Sequence, residues 1–297
     1  MQLKSIWMLY VGFGLCCGIA EGIGYVTPVL NNILWFGKGK FKGLVASLSI
    51  VSFGLGSTLC SILFKWMMPF FGIESIFFAY GAIYLAMTTI GTCMIAKPRY
   101  AKADHQASSF SYMKLFRDSY ARKSWLYMFL NISMGLVLIG SCASILQETH
   151  LSQDMIIVVM MLCGIFNGAG RLVFPLLSDF MKNRAMMLLL ILGVEIAIMI
   201  PAAVSYVLVP MSIIVINATY GSFFAMLPSV LSDHYGNKNL SIRHSAILSS
   251  WGFASVFAYI CTSLMTMFCN SYYFLTFLLP IIYAFNLLVV KSLVKQQ

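Results

Sequence analysis

Nine long apolar stretches, separated by shorter polar segments, make up almost the whole chain. They run over about 5–30, 43–65, 70–96, 125–147, 155–178, 185–206, 210–231, 244–268 and 272–293. A bilayer core takes about 20 residues of helix, and each stretch is long enough to cross one. Runs such as Met186 to Ile200 lack the two-residue alternation of a strand barrel. A helix also satisfies its own backbone groups in lipid. The pattern predicts an all-α, polytopic membrane protein with nine transmembrane helices.

The longest polar stretch, 97–124, divides the chain into three helices (residues 1–96) and six (125–297). It reads as a solvated central loop on the cytoplasmic side, with an amphipathic helix near Tyr112 to Tyr120. Pro28, Pro201, Pro210, Pro228 and Pro280 mark kinks or helix ends. Lys4, an apolar run and Gly18-Ile19-Ala20 mimic a signal peptide. The apolar stretch continues past Glu21 to Leu30, which favours a retained helix.

Composition supports the membrane reading and excludes others. Hydrophobic residues are 60 % of 297 and charged residues 9 %, against about 25 % charged in soluble domains. The net charge of +10 would point to nucleic acid in a soluble protein. Here nine spans place alternate loops on opposite sides. One side collects Lys38, Lys40 and Lys42, then Lys97, Arg99, Lys102, Lys114, Arg117, Arg122 and Lys123. Lys182, Arg184, Lys238, Arg243, Lys291 and Lys295 follow on the same side. That is sixteen of the 19 basic residues. Lys4 and Lys65 fall on the other side, and Arg171 falls within a span. The bias marks the basic side as cytoplasmic, with the N-terminus outside and the C-terminus inside a cell membrane. It accounts for the charge without nucleic acid as a partner.

The eight cysteines form no CxxC pair and sit mostly in apolar runs, as small hydrophobes do. No metal cluster, cofactor-binding loop or nucleophile constellation stands out, which argues against an enzyme. His150 and His244 stand alone near span ends and read as solvated histidines.

An offset of 200 residues superposes Pro28 on Pro228, Trp35 on Tyr235, Lys38 on Lys238, Ala46 on Ala246, Ser49 on Ser249 and Phe53 on Phe253. Each copy reads as a span, a proline near its cytoplasmic end, a basic loop and another span. Transporters commonly carry such repeats. Three spans (125–206) precede the second copy, and only Met1 to Lys4 precede the first. Halves built alike would place roughly three more spans before the first copy.

At this point the chain resembles the major facilitator superfamily, and more narrowly its oxalate:formate antiporter and monocarboxylate transporter branch. The resemblance rests on Gly22-Ile23-Gly24-Tyr25-Val26-Thr27-Pro28, Trp35-Phe36, Lys42-Gly43-Leu44 and Phe53-Gly54-Leu55-Gly56. It continues through Phe129-Leu130-Asn131, Gly164-Ile165-Phe166-Asn167-Gly168-Ala169-Gly170-Arg171, Leu177-Ser178-Asp179, Phe224 to Pro228 and Tyr235-Gly236. It implies the fourth to twelfth helices of a twelve-helix fold. The family's G-x-x-x-D-R-x-G-R loop signature is partly kept: Asp179 and Arg184 remain, while Pro175 replaces its first Gly, Phe180 its first Arg and Asn183 its second Gly.

The sharpest chemical candidate is Arg171, about eight residues or roughly 12 Å of helix from the basic end of its span. An arginine inside a span costs about 2.5–3.5 kcal/mol on insertion scales, and its planar fork matches a carboxylate. The resemblance implies a substrate-anion-binding arginine here. The alternatives are an arginine reaching the interface or one paired with Asp179. Asn167 lies one turn earlier on the same face, where monocarboxylate transporters often carry a titratable Asp. Oxalate exchangers carry a second cation in the penultimate helix, where this chain has Trp251. A small organic monoanion is therefore the expected substrate. Tyr25, Asn131, Tyr220 and Asn217 offer hydroxyl and amide groups to a cavity or to neighbouring helices. Glu21 is the proton-coupling candidate, beside a Gly14, Gly18 and Gly22 stripe that reads as a helix-packing face. Glu195 reads as a structural acid of a support helix.

Overall fold

The computed structural model describes residues 6–36, 39–96, 111–237, 239–268 and 275–296. Most of the predicted central loop lies outside them, as do Lys38, Lys97, Arg99, Lys102 and Lys238. Among the described residues the chain is helical, with no strand.

The first span runs Ile6–Phe36. It comprises α1 (Ile6–Leu9), a π-helical stretch (Tyr10–Cys17) and α2 (Gly18–Phe36). Then come α3 (Lys42–Met67), α4 (Ile73–Met94), the short α5 (Tyr112–Arg117), α6 (Ser119–Gly140) and the short α7 (Cys142–Glu148). They are followed by α8 (Gln153–Ser178), α9 (Ala185–Val204), α10 (Val209–Tyr235), α11 (Leu240–Leu248), α12 (Ser250–Phe268) and α13 (Leu275–Val294). Eight helices among the described residues are long and apolar enough to cross a membrane. The apolar α13 closes the order where the ninth stretch was predicted.

Local chemistry sets the boundaries. The Asp118 side chain accepts from the Tyr120 N–H, so α6 begins at Ser119, six residues before the apolar stretch. Ser152 caps α8 through the Met155 N–H. Pro210 sits in the first turn of α10, where its missing N–H costs nothing. Pro28 and Pro228 both lie inside helices. The predicted amphipathic helix is shorter than expected, six residues of α5, because the chain breaks at Asp118 before α6.

The centre of the molecule is α10, which packs against α3, α6, α8, α9 and α11. Its contact with α8 is close. A Cβ added at Gly221 would meet the Asn167 carbonyl and the Arg171 side chain, at 2.9 Å from Arg171 Cγ. Several polar groups lie inside among apolar side chains, and many large apolar side chains lie outside. Arg171, Asn131, Glu195, Thr219 and His244 are buried, whereas Phe78 and Val207 are 81 % and 85 % exposed. That arrangement suits a lipid surround.

Two expectations need correction. Among the described residues nothing packs on the Gly14, Gly18 and Gly22 stripe: no atom lies within 4 Å of a Cβ built at any of the three. The buried face of α2 is instead Tyr25, Val26, Val29 and Ile33, one turn and more further along. His244 is not solvated but 0 % exposed. Its helix begins at Leu240, so His244 sits one turn inside, with its ring 6.2 Å from that of Tyr25. His150, by contrast, is exposed.

Candidate functional site

Asn167 and Arg171 share one face of α8, one turn apart. Arg171 Nε donates to Asn167 Oδ1 at 3.0 Å, and Nη1 donates to the Ile50 carbonyl of α3 at 3.1 Å. The arginine is 8 % exposed. No carboxylate pairs with it among the described residues, so neither alternative role, a pair with Asp179 or a reach to the interface, describes its geometry.

One aromatic ring lies beside the guanidinium, and others pack on that ring. The guanidinium Cζ lies 5.9 Å from the centre of the Phe224 ring. Phe224 contacts Tyr220, Trp251 and Tyr25 at 5.3, 5.1 and 6.5 Å between ring centres. The Tyr25 hydroxyl donates to the Phe224 carbonyl at 3.4 Å. Five predicted residues, Arg171, Asn167, Tyr25, Tyr220 and Trp251, thus come together from α2, α8, α10 and α12.

A cavity of about 340 Å³ opens on this face, lined by Met160, Cys163, Gly164, Asn167 and Arg171 of α8 and by Asn217 and Tyr220 of α10. The lining stops at Arg171 and leaves out the last turns of α8. The cavity therefore lies on the side of Arg171 away from Ser178.

The Ser178 side is shut by a polar latch. Asp179 accepts from the Gly43 and Leu44 N–H groups at 2.7 and 3.0 Å, which satisfies orphan donors at the start of α3. Arg184 donates from Nε and Nη2 to Asp179 at 3.1 and 2.9 Å and from Nη1 to Asp233. Lys42 Nζ reaches Asp233 at 3.1 Å. Burial works against the Arg184 charge, but hydrogen bonds and charge pairing with Asp233 and Asp179 outweigh it and hold the guanidinium above its ordinary range. Gly43 is required for this closeness: a Cβ there would lie 2.6 Å from the Pro175 carbonyl oxygen. Lys40 Nζ covers the Phe180 ring at 4.7 Å. The surviving signature residues Asp179 and Arg184 and the Lys42-Gly43-Leu44 block were the sequence hints of this latch. Asp233 carried none, because its meeting with Lys42 joins positions 191 residues apart.

The other predicted residues lie elsewhere. Asn131 Nδ2 donates to Glu195 Oε2 at 3.0 Å, and the Thr219 hydroxyl lies 2.7 Å from Oε1. This buried cluster joins α6, α9 and α10 and agrees with a structural Glu195. Glu21 lines a second cavity of about 800 Å³ with Gly14, Gly18, Gly22, Ser245 and Ser249, and with the outer sides of Tyr25 and Trp251. No cluster of three or more metal-ligating His, Cys, Asp or Glu side chains occurs among the described residues.

The profile described as Major Facilitator Superfamily matches residues 1–259. The chain belongs to the major facilitator superfamily. It is thus a multi-pass membrane protein of a transporter superfamily. Among curated relatives of this facilitator chain, the uncharacterized MFS-type transporter YhjX of Escherichia coli (strain K12) is 27 % identical over 260 residues. The match takes in 85 % of this facilitator chain and 64 % of YhjX, so the chain spans under two thirds of that relative's length.

Proposed function

We propose that the chain is a secondary transporter of a small organic monoanion, bound through its carboxylate by Arg171. One observation carries the reading: a buried guanidinium ends a cavity and, among the described residues, donates to neutral acceptors alone. A buried charge held by neutral groups alone is costly, and an incoming anion offsets that cost. Arg171 has a planar donor fork suited to a carboxylate. Leu136, Ile139, Met160 and Tyr220 supply an apolar and aromatic wall of that cavity for a short carbon skeleton.

The resemblance to monocarboxylate and oxalate carriers supports the substrate class. Trp251 in place of a second cation favours a monoanion over a dianion. Asn167 cannot titrate, which favours exchange over proton symport through this pair. Glu21 remains a proton-coupling candidate from a separate cavity. The mechanism is alternating access: two groups of helices rock around Arg171. The latch of Asp179, Arg184, Asp233 and Lys42 closes one side while the cavity stays on the other. The basic side is then the cytoplasmic side of a cell membrane, by the charge bias of the loops.

A second reading has its own observation. The span Ile6–Phe36 buries 0 % of its apolar window and α4 only 6 %. Such faces favour a chain that transports only when further helices pack against them, as a degenerate protein or the subunit of a complex. Anion uptake into proteoliposomes, with the chain and with Arg171→Ala, tests both. Uptake lost in the variant supports the first reading. Uptake by neither supports the second, and equal uptake by both contradicts the role of Arg171.

A further inference from the structure

We propose that Cys142, Cys163 and Met160 form a binding site for a soft, thiophilic ion in the wall of the Arg171 cavity. All three line that cavity. The two cysteines come from different elements, α7 and α8, which pack on one another. Both thiols are free, buried to 7 % and 6 % exposure, and line the same cavity. Two thiols and a thioether converging on one space are a soft donor set. Such sets select thiophilic ions over hard cations, which prefer oxygen. The cysteines are 21 residues apart in the sequence and make no local motif, so only the packing of α7 against α8 reveals the pair.

Position gives the site a consequence. Cys163 precedes Arg171 by eight residues of one helix, about 12 Å, on the side where the cavity lies. An ion held by Cys163 and Cys142 stands between the cavity wall and the guanidinium and narrows the approach to it. The site itself does not depend on what the protein transports.

Trivalent arsenic gives a balanced chemical probe. Phenylarsine oxide condenses with two thiols: two arsenic–sulfur bonds form, and the oxygen leaves as water with both thiol protons. Arsenic stays trivalent, so no oxidant is needed. A lone thiol cannot close this ring.

The test is thiol alkylation of the full chain in detergent, read by mass spectrometry at the Cys142 and Cys163 peptides. Phenylarsine oxide is expected to slow alkylation of both at least tenfold. A dithiol should restore it, and a monothiol at equal thiol concentration should not. In Cys142→Ser, Cys163 should lose its protection, and the reverse should hold in Cys163→Ser. Cys142→Ala gives the same reading where the hydroxyl disturbs the apolar wall, and the dithiol reversal needs no variant. Absence of protection in the unsubstituted chain, or protection of Cys163 that survives loss of Cys142, overturns the proposal.

Discussion

Arg171 donates to Asn167 across one turn of α8, Nε to Oδ1 at 3.0 Å. An amide oxygen orients a guanidinium without neutralising it. The charge at the end of the cavity is therefore held in place and left uncompensated. A carboxylate at position 167 would do both jobs and leave less for a substrate.

Asn167→Asp follows from that contrast. The new carboxylate competes with the substrate for Arg171, and anion affinity should fall about tenfold, or ~1.4 kcal/mol. Calorimetric titration of a small monocarboxylate at about pH 7, where both carboxyl groups are ionised, checks it, and an unchanged affinity would count against the charge argument.

The latch predicts a change in which side opens. Arg184→Ala leaves Asp179 buried with its helix-terminal N–H partners but without its cation. The closed arrangement should lose about 1–3 kcal/mol, at least a fivefold shift in population. A cysteine placed at the buried Ser178 should then react faster with a water-soluble maleimide. Gly43→Ala should act in the same direction, because its Cβ meets the Pro175 carbonyl. Unchanged labelling in both variants would show that the latch does not set the state.

The Glu195 cluster predicts a stability effect. Glu195→Ala strands the Asn131 amide in the interior, at a cost of about 1–3 kcal/mol. Glu195→Gln keeps an oxygen for Asn131, and its amide can donate to the Thr219 hydroxyl, which lies 2.9 Å from the Ile216 carbonyl. Thermal unfolding in detergent should show a drop of several degrees for Ala and almost none for Gln. Equal losses in both would mean the carboxylate itself is required.

Much of this was legible in the residues. Apolar length gave the spans, because lipid allows few backbone solutions. Loop charge gave their alternation. Arg171 and Asn167 stood out because four-residue spacing fixes a shared helix face. Tyr25 joined them through its hydroxyl, and Trp251 only through the resemblance. What stayed hidden depends on pairing between distant segments. Asn131 looked like a cavity residue, yet helix periodicity does not say which neighbour an amide meets, and it meets Glu195. His244 looked solvated because the start of α11 at Leu240 has no apolar signal. The glycine stripe looked like a packing face, but small residues permit contact without supplying a partner. The latch at Asp233 and Lys42 needed the fold itself.

The central claim is that Arg171 binds the substrate carboxylate. The most direct measurement is binding of small monocarboxylates to the purified chain, compared with Arg171→Ala and Arg171→Lys. The account predicts that Ala weakens binding at least a hundredfold, about 2.7 kcal/mol, and that Lys, which keeps charge but not the fork, recovers only part of it. Equal monocarboxylate affinity in the unsubstituted chain and Arg171→Ala would contradict it.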